Sequence, residues 1–453
     1  MQAVYLSVSG VASMQVSIYS QYFRYTVPTV AAMLVNGLYQ LIDGIFIGQY
    51  LGADGLAGIN ISWSMIGILV GTGLMIGVGT GAITSIYKGQ QNLRAARQTI
   101  STGLILLVLL SLLTSWALWC FMGDILSWQT QDPRVFDLAV KYMQIVMLTS
   151  CFTLGSTALP FLMRNDDNPN LATWLMVAGA SLNIVFDYLF IVVWKMELQG
   201  AAIATALSQS VVTIAGLVYF FSPLASLRMR ASDWFFRWQD IRQIVLVGLS
   251  SFFMYLYWGV MVALHNSQFA SYGGTTALGA YTVLGYVVTF YYLTVEGLAN
   301  GMQPLASFNY GANQLANIRK LLGLAMGLAV SLGVFVTLIL NMYPREIIAV
   351  FNRDNPELID FATTGIRLHL FALCLDGFLV VVAAFYQSIN RGKKAMLISI
   401  GNILVQPPFL FLLPLGWGLT GVWLAFPISN LVLSSVILFI LFKDIRQLFK
   451  SAV

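Results

Sequence analysis

The segment Tyr87-Lys-Gly-Gln-Gln-Asn-Leu-Arg-Ala-Ala-Arg97 recurs as Asn309-Tyr-Gly-Ala-Asn-Gln-Leu-Ala-Asn-Ile-Arg319, with Gly89/Gly311, Leu93/Leu315 and Arg97/Arg319 in register at a shift of 222 residues. That shift is close to half of the 453-residue chain. A weaker echo relates Leu198-Gln-Gly-Ala-Ala-Ile-Ala-Thr205 to Leu419-Thr-Gly-Val-Trp-Leu-Ala-Phe426. The chain therefore reads as one unit built twice, and both copies of the long motif are polar, basic connections between apolar runs.

Composition says what those runs are. With 58% hydrophobic residues, 9% charged residues and a mean hydropathy of +0.80, too little polar surface remains to face water. Each membrane crossing needs roughly 20 apolar residues, and such stretches succeed one another from Tyr25 to Phe442. Breaks of Gly, Pro and charge predict spans at 25–49, 56–86, 98–122, 136–161, 170–194, 199–222, 242–270, 277–306, 318–343, 360–388, 396–415 and 418–442. The expected fold is an all-α polytopic membrane protein of about 12 transmembrane helices in two pseudo-symmetric six-helix bundles. Six crossings per half return the chain to its starting side, so the halves share one orientation about an axis along the membrane normal. The N-lobe is expected over 1–225, a cytoplasmic linker over 226–241 and the C-lobe over 242–453.

Basic residues set the orientation, because Lys and Arg are retained on the cytoplasmic side. Arg24, Lys88, Arg94, Arg97, Arg164, Arg228, Arg230, Arg237, Arg242, Arg319, Lys320, Arg391, Lys393, Lys394, Lys443, Arg446 and Lys450 make 17 of 23 and fall before span 1 or in every second connection. Both termini are thus expected in the cytoplasm of a cell whose inner membrane the protein crosses. Arg134, Lys141, Lys195, Arg345, Arg353 and Arg367 fall on or near the other side, with Asp132, Asp354 and Glu357. The net charge of +5 reflects topology, and no nucleic-acid partner is expected. Residues 1–13 read as a short tail without the pattern of a secretory signal, and Met14 as an alternative start. Cys120, Cys151 and Cys374 sit far apart in apolar runs and read as packing residues. His265 and His369 are solitary in sequence, so no metal site is indicated.

In lipid the informative residues are ionisable ones at mid-span, each costing about 2.5–3.5 kcal/mol or more. Asp43 lies deep in span 1, Asp187 in span 5, Glu296 in span 8 and Asp376 in span 10. Asn183 precedes Asp187 by four residues, so both point to one helix face. Two carboxylates meeting in a low-dielectric pocket raise each other's proton affinity, which suits Asp43 and Asp187 to proton uptake and release if they meet. Pro28 removes a backbone hydrogen bond in span 1 and, with Gly37, Gly44 and Gly48, marks either a place for bending or a face where neighbouring helices approach closely. Gly73, Gly77 and Gly81 in span 2, four apart, form a small-residue packing face rather than a phosphate loop. Aromatic and Met residues in spans 7 and 8, among them Tyr255, Tyr257, Trp258, Tyr281, Tyr286, Tyr291, Tyr292, Met254, Met261 and Met302, are candidates to line a cavity for flat organic cations.

Pro28 and Asp43, the Arg164-Asn-Asp-Asp-Asn-Pro169 loop, Asn183 with Asp187, and Gly200-Ala-Ala-Ile-Ala-Thr205 together resemble the multidrug and toxic compound extrusion (MATE) family over essentially the whole chain. The pattern is most similar to the prokaryotic branch named after a DNA-damage-inducible protein. The resemblance implies two lobes rocking about a central V-shaped cavity and antiport of small organic cations against H+ or Na+, with no cofactor and no enzyme activity. It implies a coupling site at Asp43, Asn183, Asp187 and Thr205, bending at Pro28, and Glu296 and Asp376 as secondary acids. H+ is preferred because carboxylates alone can carry it, while the neutral oxygens of Asn183 and Thr205 would suit Na+. Another branch of the family has an acid in span 7, where this chain has His265, Asn266 and Gln268. A monomer in the lipid bilayer is expected. The alternative, a lipid-linked oligosaccharide flippase of related fold, would need cations in the cavity, for which Arg367 and His369, toward the outer end of span 10, are the main candidates. An intramembrane enzyme would need a catalytic motif, and neither Asp43 nor Asp187 lies in one.

Overall fold

The computed structural model describes residues 17–350 and 355–450. The expected tail at 1–13, Met14, Arg353 and Asp354 lie outside the described residues. The chain folds as α1 (Ile18–Gly89), α2 (Leu93–Gln129), α3 (Pro133–Leu148), α4 (Ser150–Asn165), α5 (Pro169–Asp187), α6 (Glu197–Phe221), α7 (Trp238–Gly311), α8 (Leu315–Met342), α9 (Pro344–Ala349), α10 (Pro356–His369), α11 (Leu373–Ser388) and α12 (Gly392–Lys450). Three of these are double crossings. α1, α7 and α12 each turn on one glycine with positive φ, at Gly52 (67°), Gly274 (66°) and Gly418 (55°), a conformation that a Cβ would strain. Two crossings are bent pairs, α3 with α4 at 61° and α10 with α11 at 52°. Counting each side of a glycine turn separately, and each bent pair once, gives the twelve expected spans.

The repeat read from the sequence is also a repeat of backbone breaks. Gly52 and Gly274 are 222 residues apart, as are the left-handed residues Gln91 (φ 61°) and Asn313 (φ 57°) in the duplicated motif. The bend at Thr149 has its counterpart at Phe371, again 222 residues on. At this first bend Thr149 Oγ1 donates to Ile145 O at 2.8 Å. Span 5 ends differently from a plain helix: after Asp187 the chain adopts a π-helical turn, Tyr188–Val193.

Packing follows the small residues. Along span 2, a Cβ on Gly73, Gly77 or Gly81 would meet Leu154, Ala158 or Asn165 of α4 within 3.1 Å, which confirms the small-residue face. The opposite side of span 2 meets span 7 as closely, with Gly79 against Ile244 O and Gly248 against Met75 O. Spans 1 and 8 pair in the same manner through Gly297 with Val30 and Gly301 with Thr26. One hydrophobic core gathers residues from Ile47 to Ala202, and a larger one gathers Phe269 to Leu441 together with Tyr22 and Tyr25 of span 1. Of the cysteines, Cys120 is exposed on span 3 and is not the core residue expected, while Cys151 and Cys374 are half-buried.

Candidate functional site

The halves close on each other at the basic end and part at the end of the Gly52 and Gly274 turns. At the basic end, Asn165 Nδ2 donates to Gln303 Oε1 at 3.1 Å and Gln303 Nε2 donates back to Asn165 Oδ1 at 3.3 Å, a reciprocal amide pair between the halves. Ser85 Oγ donates to the same Asn165 Oδ1. Buried Asp240, at the start of span 7, accepts from Tyr87 Oη and Thr99 Oγ1 of the first half and pairs with Arg237. Lys88 reaches Asp167 at 2.7 Å and Asn165 O, and Tyr25 Oη donates to Asp167. Asp166 ties the inter-helix segment down, accepting from the N–H groups of Ser226 and Leu227 and from Tyr219 Oη. Burial pushes the Asp166 carboxyl up to about 6, with Lys88, Tyr219 and the Leu227 N–H working in the opposite direction.

Arg164, one of the basic residues expected on the cytoplasmic side, is buried rather than exposed. Its side chain is 1% exposed, Nη2 donates to Met176 Sδ, and Nε and Nη1 have no hydrogen-bond partner among the described residues. Glu296 is its electrostatic counterpart inside the protein.

Where the halves part lies a cavity of about 760 Å³. Trp63 of span 2 forms one wall, and Tyr257, Trp258, His265, Tyr281 and Tyr292 of spans 7 and 8 form the other. Glu296 and Asp376 both face it. Asp376 lies near Tyr292 and Asn430, and Glu296 near Asn300. Met254, Met261 and Tyr286 also line it, as the sequence pattern suggested, whereas Tyr291 and Met302 are buried in the second core.

Asp43 and Asp187 lie outside that lining, within the first half. The two carboxyls are close enough to interact electrostatically, and Tyr39 and Tyr142 face them. Asp187 and Asn183 are buried, and Asn183 Nδ2 donates to Thr205 Oγ1 at 3.4 Å. Asp43 Oδ1, Asn183 Oδ1 and both oxygens of Asp187 are sequestered without a hydrogen-bond partner among the described residues. The four residues singled out from the sequence are thus brought together, and two tyrosines join them. Tyr39 precedes Asp43 by four residues, so its shared helix face was readable in the sequence; nothing marked Tyr142. Pro28 lies within α1, whose helix continues through it, and its carbonyl accepts from Thr173 Oγ1 at 2.8 Å.

The histidines, solitary in sequence, are neighbours in space with ring centroids 5.6 Å apart. His265 Nδ1 donates to Met261 O at 2.9 Å, leaving Nε2 as acceptor for Gln406 Nε2 at 3.4 Å, and Tyr257 Oη donates to Gln406 Oε1 at 2.6 Å. His369 Nδ1 donates to Trp423 O from the last turn of α10, just before the bend of span 10. No group of three His, Cys, Asp or Glu suited to hold a metal occurs among the described residues.

The MatE family model matches residues 28–189 and 248–412, one stretch in each half. Multidrug export protein MepA of Staphylococcus haemolyticus (strain JCSC1435) is 23% identical over 427 residues, covering 94% of each chain. MepA of Staphylococcus aureus (strain MSSA476) is 23% identical over 411 residues, covering 89% of each. Among solved structures, the outward-facing conformation of a multidrug resistance MATE family transporter of the MOP superfamily superposes with a TM-score of 0.89 at 21% identity, over 96% of this chain and 97% of that one. A MATE in the bent conformation superposes with a TM-score of 0.87 at 22% identity, over 98% of both. With both halves matched, this chain belongs to the MatE family, the multidrug and toxic compound extrusion proteins, which are transporters and not enzymes.

Proposed function

We propose that this protein is an antiporter of the inner membrane that exports small organic, mostly cationic compounds, drawing on entry of H+ at Asp43 and Asp187. The observation that carries the reading is the set of orphaned acceptors in the first-half pocket: four buried oxygens of Asp43, Asn183 and Asp187 have no donor. Buried acceptors without partners cost about 1–3 kcal/mol each, and a proton on one carboxyl supplies a donor that the fold withholds. Na+ is the second ion such oxygens suit, with Thr205 beside them. The similarity to MepA supports multidrug export, and the aromatic cavity with Glu296 and Asp376 supports cationic, flat substrates.

The mechanism follows from occupancy. A ligand shifts a two-state equilibrium only by its differential affinity for the states. Protonation of the Asp43–Asp187 pocket favours one packing of span 1, whose Pro28 lacks an N–H for the helix ladder, and substrate in the cavity favours the other. The lobes, 1–225 and 242–453 joined through 226–241, rock about the glycine contacts of spans 1 with 8 and 2 with 7. The basic face is the cytoplasmic one, where both termini lie, so the cavity described here opens outward. One chain encloses the whole cavity, so a monomer suffices. The orphaned N-lobe acids support placement in the DNA-damage-inducible-F-like branch.

The test is uptake of a fluorescent organic cation by inverted vesicles under a pH gradient or an Na+ gradient imposed separately. Uptake driven by the pH gradient and lost in Asp43→Asn is expected. Active uptake by the Asp43→Asn protein at normal expression would refute the site, and no cation uptake under either gradient would refute the substrate class in favour of anionic lipid-linked substrates.

A further inference from the structure

A second cavity, of about 700 Å³, opens on the basic face where span 7 begins and the turn between α11 and α12 passes beside it. Four cations line it, Arg242, Arg391, Lys393 and Lys394, together with Trp238 and Asn390. The floor is fixed by close backbone approach, since a Cβ on Gly392 would lie 2.2 Å from Leu246 O. Buried Asp444 pairs with Arg391 at 3.4 Å and with Lys394 at 2.5 Å. Tyr386 Oη donates to the same carboxylate, which holds the two cations in place. Arg242 and Lys393 are exposed and make no ion pair among the described residues. One carboxylate against four cations leaves a concave surface with an uncompensated positive charge. Asn390 is itself fixed, donating to Gln243 Oε1 at 3.1 Å.

We infer that this cavity binds the phosphate of an anionic phospholipid of the adjoining leaflet. A phosphodiester offers the anionic oxygens that Arg and Lys recognise, and basic pockets at the membrane surface between spanning helices are suited to lipid headgroups. Two features favour a lipid over a free phosphate. Trp238 is 77% exposed at the rim, the place and residue type of an interfacial anchor. From Lys393, an exposed apolar track runs along span 11 through Leu397 and Leu404, at helical spacings that keep it on one side of the helix. A headgroup held by Lys393 would lay its acyl chain there. The site lies apart from both the aromatic cavity and the acid pocket and does not rest on the proposed transport.

The test uses full-length protein in detergent, with lipid retention read by native mass spectrometry after addition of phosphatidylglycerol or phosphatidylcholine, and a parallel series with inorganic phosphate. The variants are Arg242→Gln/Lys393→Gln and, as a control on the same face, Arg94→Gln/Lys320→Gln; all four residues are exposed, and thermal unfolding checks the fold. The wild type and the control are expected to retain phosphatidylglycerol over phosphatidylcholine, and the Arg242/Lys393 variant to lose about tenfold or more of that preference. Equal losses in both variants, or no preference in the wild type, would overturn the proposal. Retention of inorganic phosphate at the site with no gain from phosphatidylglycerol would overturn the lipid assignment and give the cavity to a free phosphate.

Discussion

Asp43 and His265 stand 222 residues apart, the same shift that separates Gly52 from Gly274, so a carboxyl in the first half and an imidazole in the second occupy corresponding places in a duplicated scaffold. The pairs continue outward: Asn183 in span 5 corresponds within one residue to Gln406 in span 11. Their surroundings differ in kind. The ring nitrogens of His265 and the side chains that reach them are paired, through Met261 O, Gln406 and Tyr257, although Trp423 Nε1 beyond His369 finds no partner among the described residues. Around Asp43 the buried acceptor oxygens of Asp43, Asn183 and Asp187 have no donor among the described residues. A satisfied network is rigid and self-sufficient, whereas an unsatisfied one is stable only with a ligand or proton that completes it. On the proposed function, the duplication gives the halves different work: ion binding to the first, and to the second an aromatic wall for the substrate.

The sharpest way to break this comparison is to place the same residue at both positions. Asp43→Asn is expected to lower pH-driven export by about a hundredfold, to the limit of a fully lost coupling energy, whereas His265→Asn retains most of it; both are read as initial rates in inverted vesicles. Next in size is the sealed end against the cavity end. Gly248→Ala places a Cβ 1.8 Å from Met75 O, so spans 2 and 7 must separate, while Gly67→Ala meets nothing within 4 Å. The first should cost about 1–3 kcal/mol, seen as a lower thermal midpoint, and the second should leave the midpoint unchanged. Gln303→Ala removes the reciprocal amide pair with Asn165 and should destabilise the closed basic end by about 1–3 kcal/mol, read as faster labelling of a cysteine introduced at Ser307.

The smallest effect concerns pH. The folded Asp166 carboxyl lies at about 6 against an ordinary 3.8, so between those values the folded state holds a proton that the unfolded state releases. Its contribution to stability therefore grows as pH falls from 7 to 4 and is lost as pH rises through 6. The thermal midpoint of wild type relative to Asp166→Asn should rise over that interval, and a flat difference would contradict the shift.

The fold was legible because lipid imposes one pattern: apolar runs of fixed length, charges between them, and a duplicated polar connection at Tyr87 and Asn309. Asn183 and Asp187 were readable as one face by their spacing. Other features were not. The bends at Thr149 and Phe371 lie inside apolar runs, where hydropathy does not register them. Arg164 looked like any loop cation, because burial of its side chain depends on α4 packing against neighbours distant in sequence. His265 and His369, 104 residues apart, meet only through the bend of span 10. The lining of the main cavity was half visible, since aromatic residues at helical spacing are the same whether they face a cavity, as Tyr257 does, or the core, as Tyr291 does.

The claim that the first-half acids couple ion to substrate is tested most directly by proton release from purified protein in weakly buffered detergent when a cationic substrate is added. Linkage requires that a substrate competing with protons at Asp43 and Asp187 displace them. The wild type should release about one proton per substrate bound, as should His265→Asn, and Asp43→Asn should bind substrate and release none. Undiminished proton release from Asp43→Asn, or its loss in His265→Asn alone, would contradict the assignment and move coupling to the second half.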